Sequence, residues 1–161
     1  VKHPAPFPAS GFEPEFIKAL KDIFEQKIAF NRVLGLQITQ IAPERVTARI
    51  AMKPELIGHF GHQRIHGGVI SAGLDAMGGL AVMAAIGARH MDEPALQRLQ
   101  RFAKLGTIDL RVDYLRPGLG EAFTLRAEML RLGSRVASTR MEFLDADGKL
   151  LSTGAAAYIV S

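Results

Sequence analysis

The side chains best suited to chemistry gather in and around one apolar run. Residues 66–89 read HGGVISAGLDAMGGLAVMAAIGAR, and between Gly68 and Gly87 only Ser71 and Asp75 carry a polar side chain. An ionised carboxylate buried without a partner costs several kcal/mol. Asp75 must therefore meet water, a ligand, another chain or a hydrogen-bond donor. A carboxylate beside an electrophilic carbonyl can take the proton of an attacking water, or attack the carbonyl itself. His66-Gly67-Gly68 opens the run. A helix starting there has unpaired N–H groups at the positive end of its macrodipole, and glycine lets a ligand come close to them. Such donors stabilise an oxyanion; tight packing of a loop on a helix is the other use of two glycines. Asp75 has a second reading too, as the N-cap of a shorter helix over 76–88. The starting point of the helix separates the two.

Other chemistries are narrowed by composition. The chain has no cysteine, which removes thiol nucleophiles, disulfides and thiolate metal sites. His59, His62 and His66 invite a zinc reading, but an extended loop gives them neither a fourth ligand nor a rigid spacing, and no metal is expected. The formal net charge of +4 suits an anionic ligand, without the block of like charge expected of a nucleic-acid-binding tail.

These residues need a scaffold, and 161 residues, 48% apolar and 22% charged, suit one globular domain with a sizeable core. Residues 1–12 are proline-rich and expected to be flexible. They lack the apolar stretch of a signal peptide, and the cytoplasm is the default compartment for a chain without cysteine. Over 13–30, Phe16, Ile17, Leu20, Ile23, Phe24 and Ile28 fall at helical spacing, which predicts an amphipathic covering helix. Residues 36–52 break at Pro43-Glu44 into two strands, and 53–65 form a loop rich in Gly and His. The central run is just long enough to cross a membrane, but it is mostly Gly and Ala, and a central Asp adds roughly 2.5–3.5 kcal/mol to insertion. A buried helix over 66–89 is the reading that fits, its small residues allowing other backbones to come close. A short helix is expected over 93–102.

Residues 105–160 then carry four strands. In 107–115, Ile108, Leu110, Val112 and Tyr114 alternate with Thr107, Asp109, Arg111 and Asp113, which sets Thr107 off the face of Ile108. Strands over 123–130, 136–144 and 150–160 follow, joined at Gly133-Ser134 and Asp147-Gly148. The fold class is α+β: one domain over 13–161, with an antiparallel sheet of about six strands wrapped around one long central helix and an extra N-terminal helix.

His66-Gly67-Gly68-Val69-Ile70, with Leu74-Asp75 and Gly78-Gly79 behind it, resembles the signature of the hotdog-fold thioesterases of the PaaI-like class. There an HGG turn opens the central helix and an acid sits nine residues after the His, as Asp75 does after His66. The segment TIDLRVDYLRPG from Thr107 to Gly118 is similar to the family's strand after the helix, and Gly154-Ala155-Ala156 fits its closing strand. The resemblance covers about 35–160. It implies hydrolysis of acyl-CoA thioesters without a cofactor. It also implies a homodimer or dimer of dimers whose sites lie at the subunit interface, the helix start of one subunit facing the acid of the other.

Residue by residue, the resemblance makes Asp75 the base or nucleophile and the N–H groups of Gly67 and Gly68 the oxyanion hole. His66 would hold substrate or brace the turn, and Thr107 would help hold the attacking water. The family often carries an Asn shortly before HGG; His59 stands in that place here. For the anionic coenzyme A, the resemblance points to Arg116 and to Arg131, Ser134 and Arg135, guanidinium being suited to phosphate. Two rivals share the fold: a non-catalytic acyl-CoA-binding module, and a hydroxyacyl-thioester dehydratase that would need His66 or His59 to shuttle a proton. The spacing from HGG to Asp75 favours hydrolysis.

Overall fold

The computed structural model of the protein describes residues 11–161. The flexible segment expected over 1–12 lies outside them except for Gly11 and Phe12, and Phe12 is buried with its ring 4.9 Å from that of Phe16. Helix α1 (Pro14–Asp22) begins with proline in its first turn, where the missing N–H costs nothing. It buries Phe16 and Leu20.

The covering helix expected over 13–30 is broken. After α1 comes one π-helical turn at Ile23–Lys27, then an extended Ile28, then α2 (Ala29–Leu34). Gly35 ends α2 in the left-handed region with φ 70°. Side chains hold the break open: Asn31 Nδ2 donates to the Phe24 carbonyl at 2.9 Å, and Glu25 Oε1 accepts the Ile38 N–H at 2.6 Å. Apolar spacing reports the buried stripe and is blind to these two bonds. The wide turn points Phe24 and Ile28 into a cavity beside the central helix.

Strands β1 (Gln37–Ile41) and β2 (Val46–Ala51) flank the expected turn at Pro43-Glu44. The stretch expected as an irregular loop is partly ordered into a 3-10 turn at Pro54–Leu56 and a small hairpin, β3 (Ile57–His59) with β4 (Arg64–Ile65). Helix α3 (Gly67–Arg89) follows. Then come α4 (Ala95–Gln100), a 3-10 turn at Arg101–Lys104, and strands β5 (Gly106–Tyr114), β6 (Ala122–Leu132), β7 (Val136–Asp145) and β8 (Leu150–Ile159). The main sheet has the order β1-β2-β6-β7-β8-β5 and is antiparallel throughout.

Alternation along the strands sends one face of the sheet onto α3. Ile50, Leu125, Met141 and Phe143 are buried there against Leu74, Met77, Leu80 and Met83 of the helix. This is the hotdog arrangement. Helix α3 is apolar and long enough to cross a membrane by composition, yet 78% of its most apolar window is buried inside the fold. Its small residues admit side chains rather than other backbones: a Cβ on Gly87 would overlap the Phe16 ring, and one on Gly78 the Tyr158 hydroxyl.

Candidate active site

Helix α3 starts at Gly67 because His66 caps it. The His66 Nδ1 accepts the Gly68 N–H at 2.7 Å, and the His66 carbonyl accepts the Val69 N–H at 3.0 Å and the Ile70 N–H at 3.3 Å. Asp75 therefore lies in the third turn, and the reading of Asp75 as an N-cap is ruled out. His66 braces the turn, one of the two roles weighed for it. The cap also halves the expected pair of oxyanion donors. The Gly68 N–H is taken by His66, and among the described residues the Gly67 N–H is the one in that turn without an acceptor.

The hairpin explains why the chain turns there. His66 N–H donates to the Leu56 carbonyl at 2.8 Å, and Ile65 N–H to the Gly118 carbonyl at 2.9 Å. Gly58 lies against the turn so closely that a Cβ would sit 2.6 Å from His66 Cα. Tyr114 at the end of β5 donates its hydroxyl to the Gly67 carbonyl at 2.8 Å.

Asp75 is half-buried and held by two hydroxyls. Thr107 Oγ1 donates to its Oδ1 at 2.9 Å. The Tyr158 hydroxyl lies 2.8 Å from the Asp75 carbonyl oxygen and 3.2 Å from Oδ1. Among the described residues Oδ2 has no protein partner. Thr107 reaches Asp75 against the alternation read from the sequence. Thr107 pairs with Tyr158 and Asp109 with Ala157, so Ile108 is the extra residue of a β-bulge. The bulge turns Ile108 outward, 54% exposed, and brings Thr107 onto the inner face with Leu110.

A cavity of about 260 Å³ opens beside the carboxylate. Ala72, Asp75, Ala76 and Gly79 form its helix wall; Phe24, Ile28, Phe102 and Leu105 face them. The Phe24 and Phe102 rings meet edge to face, 5.7 Å apart, on the far side. Asp75 and Tyr158 are the titratable residues in this lining. Burial first, and the neighbouring Asp75 second, push the Tyr158 hydroxyl well above the usual phenol range. Tyr158 thus stays a neutral donor at any working pH.

The remaining expected residues divide between two ends of α3. Arg116 lies at the Gly67 end, where its Nη1 donates to the Leu150 carbonyl at 2.9 Å. Arg131, near the end of β6, and Ser134 and Arg135 in the β6–β7 turn lie at the other end: Arg89, the last residue of α3, donates to the Leu132 carbonyl at 2.7 Å, and Val160 N–H donates to the Arg135 carbonyl. His59 stacks on Phe60 (5.9 Å) and lies tilted against His62 (4.6 Å) on the exposed hairpin, outside the residues that line the cavity at Asp75. Among the described residues no three His, Asp or Glu side chains converge on a point. Gly67 and Asp75 are separated along the helix by about 12 Å at 1.5 Å per residue.

Comparison with known proteins places the chain in a family. A family model described as the thioesterase superfamily matches residues 62–152, from the hairpin into β8 and over more than half of the chain. The chain belongs to the thioesterase superfamily. It is 35% identical over 144 residues to the medium/long-chain acyl-CoA thioesterase YigI of Escherichia coli K12, covering 89% of this chain and 93% of the relative. Against the protein of the same name from Salmonella typhimurium the identity is 36% over 146 residues, with the same coverage. A crystal structure from Shewanella oneidensis, described as related to the thioesterase superfamily, superposes with TM-score 0.85 at 39% identity, covering 93% of this chain and all of that one.

Within this thioesterase fold, Tyr158 is the site residue that sequence reasoning missed. It looks like one more inward residue of β8. The signal that could have found it is Gly78-Gly79, three and four residues after the acid: two glycines on one turn of a buried helix make a niche, and the side chain that fills it touches Asp75.

Proposed function

We propose that the protein hydrolyses acyl-CoA thioesters to the free acid and coenzyme A, with Asp75 as general base. The observation that carries this reading is the placement of Asp75. Its carboxylate has one oxygen held by hydroxyls and one without a protein partner, on the wall of an apolar cavity. A water beside Oδ2 would give its proton to Asp75 while its oxygen attacks the thioester carbon. Collapse of the tetrahedral intermediate expels the coenzyme A sulfur, which takes the proton back. Thr107 holds the carboxylate in this scheme rather than the water.

An oxyanion donor must lie about 3 Å from the reacting oxygen, and the Gly67 N–H of the same chain is about 12 Å along the helix from Asp75. One chain therefore supplies half of each site. Strand β5 supports the way two halves join. It is an edge of the sheet, with Thr107 at one end and Tyr114, bonded to Gly67, at the other. Antiparallel pairing of β5 with the same strand of a second copy is self-complementary. It sets the Asp75 and Thr107 end of one copy beside the Gly67 and Arg116 end of the other. In this homodimer, or in a dimer of dimers, Arg116 of one chain and Arg131, Ser134 and Arg135 of the other are the candidates to meet the coenzyme A phosphates.

The cavity suits an aliphatic acyl chain, and the two YigI relatives, named for medium and long chains, support that class. The dehydratase rival finds little support: His66 spends Nδ1 on its cap, and His59 sits on the exposed hairpin. A panel of straight-chain and aromatic acyl-CoAs, followed by release of free thiol, tests the reading together with Asp75→Asn. Hydrolysis of medium or long chains that drops at least a hundredfold in the variant is expected. Full activity in Asp75→Asn removes Asp75 as base, and no thiol from any acyl-CoA leaves the binding module in its place.

A further inference from the structure

We propose that Tyr158 is a positioning residue for this hydrolysis, its hydroxyl fixing residue 75 from the sheet side so that the carboxylate keeps one oxygen for water. The proposal rests on the reading of Asp75 as base. Tyr158 sits on β8, 2% exposed, with its hydroxyl against the turn of α3 that follows Asp75. The phenol has one proton and two acceptors, the Asp75 carbonyl at 2.8 Å and Oδ1 at 3.2 Å, and both belong to the same residue. The bond to Oδ1 is the one that holds the carboxylate, and the carbonyl competes with it for the same proton. Thr107, the strand partner of Tyr158 across the bulge, supplies the second tie at Oδ1. Two hydroxyls on neighbouring strands thus converge on one carboxylate oxygen.

The helix is shaped for this contact. Gly78 lacks the Cβ that would overlap the hydroxyl, and a glycine inside a helix costs roughly 1 kcal/mol relative to alanine. A phenylalanine at 158 would fill the same core position without needing that space. The polar tip and the glycine facing it make sense together as a device acting on Asp75. Of the titratable groups lining the cavity, Tyr158 is the one that faces Asp75.

The test compares the wild-type chain, Tyr158→Phe and Asp75→Asn on the best acyl-CoA of the panel, across pH. Tyr158→Phe should lower kcat roughly tenfold to a hundredfold, the size expected for a hydrogen bond to a charged group, with KM within about twofold. The acid limb of its kcat/KM profile should move to higher pH, because a carboxylate that loses a donor holds its proton more readily. A role as a mere strut would lower the melting temperature and leave the acid limb where it was. A second variant keeps both ring and hydroxyl: 3-fluorotyrosine at position 158 is a stronger donor and should shift the limb to lower pH. If Asp75→Asn is inactive while Tyr158→Phe keeps kcat and the acid limb, or if fluorination leaves the limb unmoved, the positioning role is overturned and the base survives. If Asp75→Asn is fully active, both fail.

Discussion

Substituting alanine at each of two adjacent glycines of α3 should have opposite results. At Gly79 a Cβ would lie 3.5 Å from Leu105 Cδ2, 3.8 Å from Phe24 Cε1 and 3.9 Å from Tyr158 Cε1, all ordinary van der Waals contacts. Nothing has to move, and the gain in helix propensity is about 1 kcal/mol. Gly79→Ala should therefore melt roughly 2–4 °C above wild type. The added methyl enters the cavity, where it displaces about one methylene of a bound chain. At about 0.8 kcal/mol per methylene, the longest accepted acyl-CoA should lose about fourfold in kcat/KM relative to a short one.

At Gly78 the same methyl would overlap the hydroxyl of Tyr158, a side chain with no room to retreat. Overpacking costs roughly 1–3 kcal/mol, and loss of the bond to Asp75 adds about 1 kcal/mol. These exceed the propensity gain, so Gly78→Ala should be destabilised by roughly 1–3 kcal/mol and melt several degrees below wild type. Its kcat should fall as in Tyr158→Phe. Thermal melts of the two variants side by side, with a chain-length series of acyl-CoAs, check all of this. A Gly78→Ala protein as stable and active as Gly79→Ala would refute the packing of Tyr158 against the helix.

Three further outcomes are expected. Gly67→Pro removes the N–H of that turn that is unengaged among the described residues, at a position where helices accept proline, so it and Asp75→Asn should each be nearly inactive; refolding them together should restore about a quarter of wild-type activity, since half of randomly formed dimers are mixed and each carries one intact site. Failure of mixing to restore activity, with mixed dimers shown to form, removes the two-chain site. Arg98, 1% exposed, lies 4.4 Å from the Phe16 ring centroid and pairs with Glu13; Arg98→Ala empties this buried site and should cost about 3 kcal/mol through lost packing, read as a melting temperature lower by roughly 6–12 °C. Tyr158 keeps its proton to higher pH in the folded than in the unfolded chain. The stability this contributes is complete below about pH 10 and is lost as pH rises further, at about 1.4 kcal/mol per unit; urea unfolding at pH 9 and at pH 11 should show the wild type losing about 1.4 kcal/mol more over that whole interval than Tyr158→Phe.

The sheet, the central helix and the position of the acid were legible because each is written in a periodic pattern. Ile50, Leu125 and Met141 alternate as inward residues of strands must, and the HGG turn with its spaced acid carried the family. Three features were not legible, each for a physical reason. The covering helix breaks at Ile28, where Asn31 and Glu25 bond backbone groups 7 and 13 residues away, and apolar spacing contains no such information. The 53–65 segment becomes a brace because Gly58 admits His66, a contact across a turn whose shape the residue types leave open. Thr107 crosses to the inner face because one extra residue enters β5 opposite β8. Register is a property of two strands, so it cannot be read from one.

The bulge and the glycine pair belong to one piece of design. A regular β5 would have pointed Ile108 at Asp75, setting an apolar side chain against an acid that needs donors. The bulge replaces it with a hydroxyl, and Gly78 admits a second hydroxyl from the neighbouring strand. Both departures from regular structure occur at the same carboxylate. The sheet has further register shifts between β1 and β2, β6 and β7, and β7 and β8; the one in β5 is the one that sets a hydroxyl against Asp75. A helix that carries an acid in its apolar face thus depends on its neighbours to make that acid useful.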